Sequence, residues 1–151
     1  MKRVVAVSGG FDPVHVGHVR MFYEAKKLGD ELVVILNNDN WKKLKRGWVF
    51  MPDVERKEIL EALKPVDRVM LTFHKPGTTD MSICEELRAL KPSVFANGGD
   101  RFEDNIPEAK VCRELGIEMV FNVGHGGKVQ SSSELVEKAK KSKKNNSKSM
   151  L

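Results

Sequence analysis

Long hydrophobic runs and cysteines are both scarce in this chain of 151 residues. The first apolar run, residues 4–7, ends at a serine and two glycines, whereas a signal peptide or a membrane span needs a much longer one. The two cysteines, Cys84 and Cys112, form no C-x-x-C pair, and such sparse cysteine usage is typical of a reducing compartment. We therefore expect a soluble cytoplasmic protein with no membrane partner.

Acidic residues are missing from the end of the chain, where residues 138–151 hold six lysines and no carboxylate side chain. The chain has 26 basic and 21 acidic side chains in all, so residues 1–137 carry a net charge of −1. A nucleic-acid-binding domain clusters its basic residues on a folded face, which argues against a nucleic-acid partner here. We predict one domain over residues 1–137 and a lysine-rich, disordered tail over residues 138–151.

Apolar runs at residues 4–7 and 32–36 are typical of strands that are covered on both faces. Between them, apolar residues from Val19 to Leu28 recur at helical spacing, and Gly29 follows where a helix would end. The same reasoning predicts further helices at about 53–63, 80–90 and 107–115, strands at 68–71, 93–96 and 117–121, and a last helix opened by Ser131. This alternation predicts an α/β fold, a Rossmann-like doubly wound parallel sheet of about five strands with helices on both faces.

Neither of the two common phosphate-loop patterns, G-x-x-x-x-G-K-[ST] and G-x-G-x-x-G, occurs. Instead SGGFDPVHVGH, residues 8–18, follows the first strand, where a doubly wound sheet has its ligand crevice. Glycines let a ligand approach the main chain closely, and the start of a helix attracts phosphate. The i,i+3 spacing of His15 and His18 places both on one side of that helix.

Zinc ligation by this histidine pair would need a third and a fourth ligand. His74, His125 and the two cysteines show no spacing that supports it. We therefore interpret His15 and His18 as donors to phosphate and expect no metal ligand from the protein.

The block GGFDPVHVGH resembles the G-x-F-D-x-x-H-x-G-H signature of the cytidylyltransferase-like nucleotidyltransferase superfamily. Further blocks follow in the order of that family: LGDELVVILNND, KLKRG, MPDVERKEILEALKPVDRV, KPSVFANGGD and QSSSELV. Together they cover about residues 3–137. The sequences of these blocks are most similar to those of the adenylyltransferase domain of ADP-heptose synthases and of glycerol-3-phosphate cytidylyltransferases.

The resemblance implies that an oxygen of an acceptor phosphate attacks the α-phosphorus of ATP or CTP in line and releases pyrophosphate. Magnesium would accompany the triphosphate, the acceptor would be a phosphorylated small molecule such as a sugar or polyol phosphate, and the protein would form a homodimer. ATP is favoured over CTP because the segment GHGGKVQSSS lacks the arginine found in glycerol-phosphate cytidylyltransferases. Since a phosphate monoester is already anionic, positioning and charge neutralisation suffice for catalysis.

The family's site residues are carried over by position. His15, His18 and Lys45 would be catalytic, with Lys42, Lys43 and Arg46 as neighbours of Lys45 in a basic loop. The nucleotide would contact Gly9, Gly10, Phe11, Asp12, Gly17, Gly98, Asp100, Ser131, Ser132 and Ser133. The acceptor would contact Asp39, Arg56 and Arg101.

Several of these residues also have simpler interpretations. The lysines of residues 42–46 could belong to a solvated surface loop, and Ser131 could serve only as a helix cap. Arg56 could pair with a neighbouring acid, and Asp12 could be a turn residue before Pro13. A non-catalytic nucleotide sensor on the same fold is the alternative function. A tRNA-linked relative is disfavoured because no K-M-S-K-S segment occurs.

Overall fold

Strands and helices alternate along the chain in the computed structural model, which describes residues 2–99, 106–124 and 132–149, with residues 133 and 143–149 described by backbone only. The elements in chain order are β1 (Val4–Gly9), α1 (Val16–Lys26), β2 (Glu31–Leu36), α2 (Asp39–Arg46), α3 (Asp53–Glu61), β3 (Arg68–Leu71), α4 (Cys84–Leu90), β4 (Val94–Ala96), α5 (Glu108–Leu115), β5 (Glu118–Val120) and α6 (Ser132–Ser149). Among the described residues, no helix is both long and apolar enough to cross a bilayer.

The five strands form one sheet in the order β3-β2-β1-β4-β5, and every pairing is parallel. β1 lies at the centre and pairs with β2 from Val4 opposite Glu31 to Gly9 opposite Leu36. The chain winds from β1 through β2 to β3 and then returns to the other side of β1 for β4. A ligand crevice is expected where this reversal separates β1 from β4, outside the carboxyl ends of the strands.

Alternate residues of β1 enter two separate hydrophobic clusters, one on each face of the sheet. Val5 and Val7 pack in a cluster with Phe22 of α1 and Leu60 of α3. Ala6 packs in the other cluster with Leu87 of α4, Val111 and Cys112 of α5. Side chains of a strand alternate between faces, so a run that is apolar throughout builds a core on both sides. The fold class predicted from the sequence is confirmed.

One helix was not predicted. Asp39–Arg46 forms α2, although the sequence predicted a basic loop there. Asn38 caps this helix by accepting a hydrogen bond from the Trp41 backbone N–H at 3.0 Å, and Gly47 ends it in the left-handed conformation with φ of 77°. The capping Asn38 and the terminating Gly47 are helix signals in the sequence, but the four basic residues between them favoured the prediction of a solvated loop.

The lysine-rich tail also differs from the prediction of disorder, because α6 runs without a break from Ser132 to Ser149 across the predicted boundary at residue 137. Lysine is a good helix former, and a helix that is already nucleated extends at low cost. The division of the chain into a domain and a tail stays a prediction.

Gly29, which follows α1, provides a test of the packing at the start of β1. A Cβ atom at this position would lie 2.5 Å from the Arg3 carbonyl oxygen and 2.8 Å from Val5 Cγ2. We expect Gly29→Ala to lower the free energy of unfolding by about 2 kcal/mol, because backbone must shift to admit the methyl group. Urea unfolding measures this change.

The matched control is Gly116→Asn. Gly116 ends α5 with φ of 69° and has no atom within 4 Å of an added Cβ, and asparagine tolerates this conformation. It should change stability by less than about 0.5 kcal/mol. Equal stability of the two variants would contradict the close packing described for Gly29.

Candidate functional site

Backbone hydrogen bonds fix the tautomer of the two histidines at the start of α1. The Gly17 N–H donates to His15 Nδ1 at 3.1 Å, and the His15 N–H donates to His18 Nδ1 at 3.2 Å. Because Nδ1 accepts a hydrogen bond in both rings, each neutral imidazole carries its proton on Nε2. The start of α1 therefore offers two ring N–H donors of the kind that a phosphate oxygen accepts.

Aromatic neighbours fix the His18 ring. His15 stacks on it with 3.7 Å between ring centroids, and Phe11 meets it edge-on at 4.7 Å. Burial, with a smaller contribution from the neighbouring His15, lowers the pKa of His18 to about 3. His18 is thus neutral near pH 7 and suited to donate a hydrogen bond rather than to act as a general base.

Phe11 and Asp12, both predicted to contact the nucleotide, support the loop through their side chains. Phe11 is buried, has φ of 48° and packs against Phe22 as well as His18. The buried Asp12 carboxylate accepts hydrogen bonds from the backbone N–H groups of Phe50 at 2.9 Å and Met51 at 2.7 Å. Asp12 therefore joins the loop after β1 to the loop between α2 and α3.

Arg56 was predicted to bind the acceptor, and the structure buries it instead, with only 1% of its surface exposed. Its guanidinium donates to the carbonyl oxygens of Gly10, Asn37 and Met51 at 2.7, 2.7 and 2.8 Å. It also pairs with the Asp39 carboxylate at 2.7 Å. Four of its five N–H donors are thus used inside the protein, which favours a structural role, and direct contact with the acceptor stays a prediction.

Asp39 was likewise predicted to contact the acceptor and serves a structural purpose. Besides its pair with Arg56, its carboxylate accepts from the Asp53 backbone N–H, while the Asp53 carboxylate accepts from the Asp39 N–H, both at 2.9 Å. This reciprocal bond joins the first turns of α2 and α3. Among the described residues, no group of three His, Cys, Asp or Glu side chains could hold a metal ion.

Lys45 and Lys42 occupy different environments on α2. Lys45, the predicted catalytic lysine, is exposed, and its Nζ lies 4.8 Å from the centroid of the Trp41 ring. Lys42 is 7% exposed, and its Nζ lies 3.6 Å from the Asp12 carboxylate. The sequence ranked Lys45 first by position in the motif. If this segment had been predicted as a helix, Lys42 and Lys45 would have been placed about one turn apart. Lys42 would then have been a second candidate for the phosphate-binding lysine.

Two of the remaining predicted nucleotide contacts, Gly9 and Gly98, lie at the carboxyl ends of β1 and β4. Gly9 ends β1 and lies against the Phe11 ring. A Cβ atom added at Gly9 would lie only 2.8 Å from Phe11 Cζ. Gly98 follows β4 and is half-buried. Ser132 begins α6 and donates its hydroxyl proton to the Pro13 carbonyl oxygen at 2.6 Å, which brings α6 to the loop after β1. Asp100, Arg101, Ser131 and the Ser133 side chain lie outside the described residues.

Comparison with known proteins adds independent information. A profile of the cytidylyltransferase-like family matches residues 6–141. A protein of Ferroglobus placidus named FAD synthase is 41% identical over 118 residues, covering 78% of this chain and 72% of its own. An FAD synthase of Methanosphaerula palustris is 38% identical over 135 residues, covering 88% and 83%.

A solved structure is also similar. The lipopolysaccharide core biosynthesis protein of Thermoplasma volcanium superposes with a TM-score of 0.63 and 26% identity, over 80% of this chain and 96% of that protein.

The internal role of Arg56 can be tested by Arg56→Lys. Lysine cannot reproduce the fork of donors, so buried carbonyl groups and the Asp39 carboxylate lose their partners. We expect the free energy of unfolding to fall by about 3 kcal/mol in urea titrations. Arg88→Lys, on the exposed side of α4 beside Glu85, is the control and should be nearly silent. An Arg56 variant of unchanged stability with a raised acceptor KM would instead support direct contact with the acceptor.

The low pKa of His18 predicts a pH dependence of stability. The unfolded chain protonates this residue near pH 6.5, whereas the folded protein does so only near pH 3. The unfolded state thus binds more protons between these values, and stability falls as the pH drops below about 6.5. Urea titrations between pH 7.5 and 4.5 should show a shallower loss for His18→Asn than for the wild type. Parallel losses in both proteins would contradict the partly buried, neutral imidazole.

Proposed function

Because the chain belongs to the cytidylyltransferase-like family of nucleotidyltransferases, we propose that it is an FAD synthase that transfers AMP from ATP to FMN. The FAD synthases of Ferroglobus placidus and Methanosphaerula palustris, 41% and 38% identical, support ATP as the nucleotide and FMN as the acceptor. FMN takes the place of the sugar or polyol phosphate expected from the sequence. The change is chemically small, since FMN is a phosphate monoester at the end of a ribityl chain.

The reaction forms one phosphorus–oxygen bond and breaks another. A phosphate oxygen of FMN attacks the α-phosphorus of ATP, and the bond from the α-phosphorus to the bridging oxygen of the β-phosphate breaks. The electron pair leaves with pyrophosphate. FMN phosphate is largely dianionic near pH 7, so no base has to remove a proton. The site has to position the two anions and stabilise the charge that develops on the phosphate oxygens.

The observation that carries this proposal is the pair of Nε2–H donors at the start of α1. His15 and His18 have their Nδ1 atoms occupied by backbone N–H groups, and His18 stays neutral near pH 7. The positive end of the α1 helix dipole and the glycine-rich end of β1 complete a site that favours phosphate. These groups are fixed before the substrate arrives, so little reorganisation is needed in the transition state.

Magnesium fits this site as an ion carried by the triphosphate. The carboxylates nearest the loop after β1, Asp12 and Asp39, already accept hydrogen bonds from backbone and pair with Lys42 and Arg56. Magnesium bound to nucleotide phosphates commonly keeps several water ligands and needs few from the protein. When bound, it would neutralise charge on the triphosphate and the departing pyrophosphate.

The test is incubation of the protein with magnesium, ATP and FMN, with chromatographic detection of FAD and an assay for pyrophosphate. We expect FAD from ATP and FMN, and a much lower rate with CTP or with sugar and polyol phosphates. Pyrophosphate release only from another pair of substrates would overturn the FAD synthase assignment and leave the family standing. Nucleotide binding without any release would favour the non-catalytic sensor.

Replacing the histidines tests their role. His15→Asn and His18→Asn should each lower kcat for FAD formation by about 100-fold, as expected for the loss of one preorganised donor to developing charge. Lys27→Gln, at the opposite end of α1, should keep the wild-type rate. Unchanged kcat in both histidine variants, with their folding verified by circular dichroism, would refute the proposed donor role.

A further inference from the structure

Large apolar side chains are exposed in the segments that follow β2 and β3. Of the nine such side chains among the described residues, four lie in these two segments: Leu44, Phe50, Phe73 and Met81. Isolated exposed apolar side chains are common on proteins, and only a fixed position beside the site gives one of them a role in binding. Met81, in the loop between β3 and α4, has such a position.

Trp41 of α2 connects Met81 to the loop after β1. The indole Nε1–H donates to the Met81 carbonyl oxygen at 2.9 Å. On the other side of the same ring, Cζ3 would lie 3.6 Å from a Cβ atom at Gly10. Trp41 is 6% exposed, so its ring faces are largely covered by the protein. A single buried indole thus spans the distance between the loop after β1 and Met81.

Hydrogen bonds hold the loop after β3 near both of its ends. The side-chain amides of Asn38 and Asn40 each donate to the His74 carbonyl oxygen at 2.8 Å. The His74 Nε2–H donates to the carbonyl oxygen of Ser82, directly after Met81, at 2.9 Å. The Met81 backbone is therefore fixed, while its side chain belongs to neither hydrophobic cluster of the sheet and is 43% exposed.

A methionine in this setting is suited to hold a flat aromatic ligand. Its unbranched side chain adapts to the surface that it meets, and its sulfur makes favourable contacts with aromatic rings. Because the backbone is ordered beforehand, little entropy is lost when a ligand binds. Phe73 in the same loop is also exposed, but its N–H donates to Glu86 of α4, and among the described residues no hydrogen bond joins Phe73 to α2.

The strand order indicates which substrate Met81 meets. The nucleotide crevice of a doubly wound sheet lies at the reversal between β1 and β4. The loop after β3 lies on the other side of β1, beyond β2. Two substrates that react at the loop after β1 have to approach it from different sides, which assigns the side of β2 and β3 to the acceptor.

The length of FMN matches this position. Neighbouring strands lie about 4.8 Å apart, so the end of β3 is about 10 Å from the end of β1. An extended chain as long as the ribityl group of FMN reaches about 7 Å, and the isoalloxazine ring continues beyond it. An FMN whose phosphate lies at the loop after β1 therefore places its ring at the loop after β3.

We propose that the isoalloxazine ring of the acceptor packs against the side chain of Met81, and that Trp41 is a positioning residue that holds Met81 in place. This inference rests on the proposed function, because it takes the acceptor to be FMN. It also gives a basis for selecting FMN, since a sugar or polyol phosphate has no aromatic ring to cover the methionine.

The experiment compares Met81→Ala with two matched variants. Met81→Leu keeps the apolar volume, and Leu115→Ala removes a side chain of similar exposure, 39% against 43%, at the end of α5. We expect the KM for FMN to rise about 10-fold in Met81→Ala, because the apolar contact with the ring is lost, while the KM for ATP stays the same. Both matched variants should stay within about twofold of the wild type.

Trp41→Phe tests the positioning role, because it keeps an aromatic ring and removes the Nε1–H. The Met81 carbonyl then loses its donor. We expect the KM for FMN to rise several-fold, with kcat and the KM for ATP unchanged. A purely structural role for Trp41 would lower stability and leave the ratio of the two KM values as it is in the wild type.

Flavin fluorescence titrations measure the contact with the ring without catalysis. Riboflavin has the ring and the ribityl chain of FMN but no phosphate. Met81→Ala should weaken the binding of riboflavin and of FMN by the same factor, about 10-fold. Equal affinity of Met81→Ala and the wild type for riboflavin, or a loss of affinity in Phe73→Ala instead, would overturn the assignment of Met81.

These measurements separate the ring contact from the proposed function. A wild type that forms FAD, with a Met81→Ala variant that matches it, would refute the ring contact alone. A wild type that forms no FAD and binds no flavin would refute both. A wild type that forms no FAD but binds riboflavin through Met81 would refute the transfer reaction and keep the ring contact.

Discussion

The site depends on the hydrogen bonds and the ion pair that the buried guanidinium of Arg56 makes. The carboxyl ends of β1 and β2 leave backbone carbonyl groups that have no strand partner, and an unpaired buried carbonyl is costly. Arg56 satisfies the carbonyls of Gly10 and Asn37 at these ends and that of Met51 in the loop before α3. Its charge is balanced by Asp39, which also fixes the start of α3. One side chain thereby sets the relative positions of the loop after β1, α2 and the loop between α2 and α3.

The sequence predicted those features of this arrangement that depend on residues close together in the chain. It did not predict those that depend on contacts between distant residues. Strands β1 and β2 are continuously apolar over residues 4–7 and 32–36 because the sheet is covered on both faces, and this pattern is visible within a few residues. Their parallel order follows from the alternation with helices. The motif around His15 and His18 likewise marks the site locally. The burial of Arg56 has no local signal, since it depends on carbonyl groups 46 and 19 residues away in the chain.

Charge composition did not predict the helical structure of two segments, for a related reason. The segment from Asp39 to Arg46 has four cations, which is typical of a solvated loop, yet its Asn38 cap and Gly47 make it a helix with one buried lysine. The tail after residue 137 has six lysines and continues α6. In both cases the composition describes the average solvation of a segment. It does not identify the single residue, Lys42 or Lys140, that packs against Trp48.

The described carboxylates near the loop after β1 are used for structure, and this determines what kind of catalyst the site can be. Asp12 holds Phe50 and Met51, Asp39 holds Arg56, and neither is placed as a proton acceptor for a substrate. His18, with its pKa lowered to about 3, is a poor base as well. The proposed reaction between two phosphates needs no base, so these side chains can hold the loops in place without loss of rate. Positioning of the substrates is then the main contribution of the protein. The hydrogen bonds and ion pairs of Asp12, Asp39 and Arg56 make the loop after β1 rigid enough to provide it.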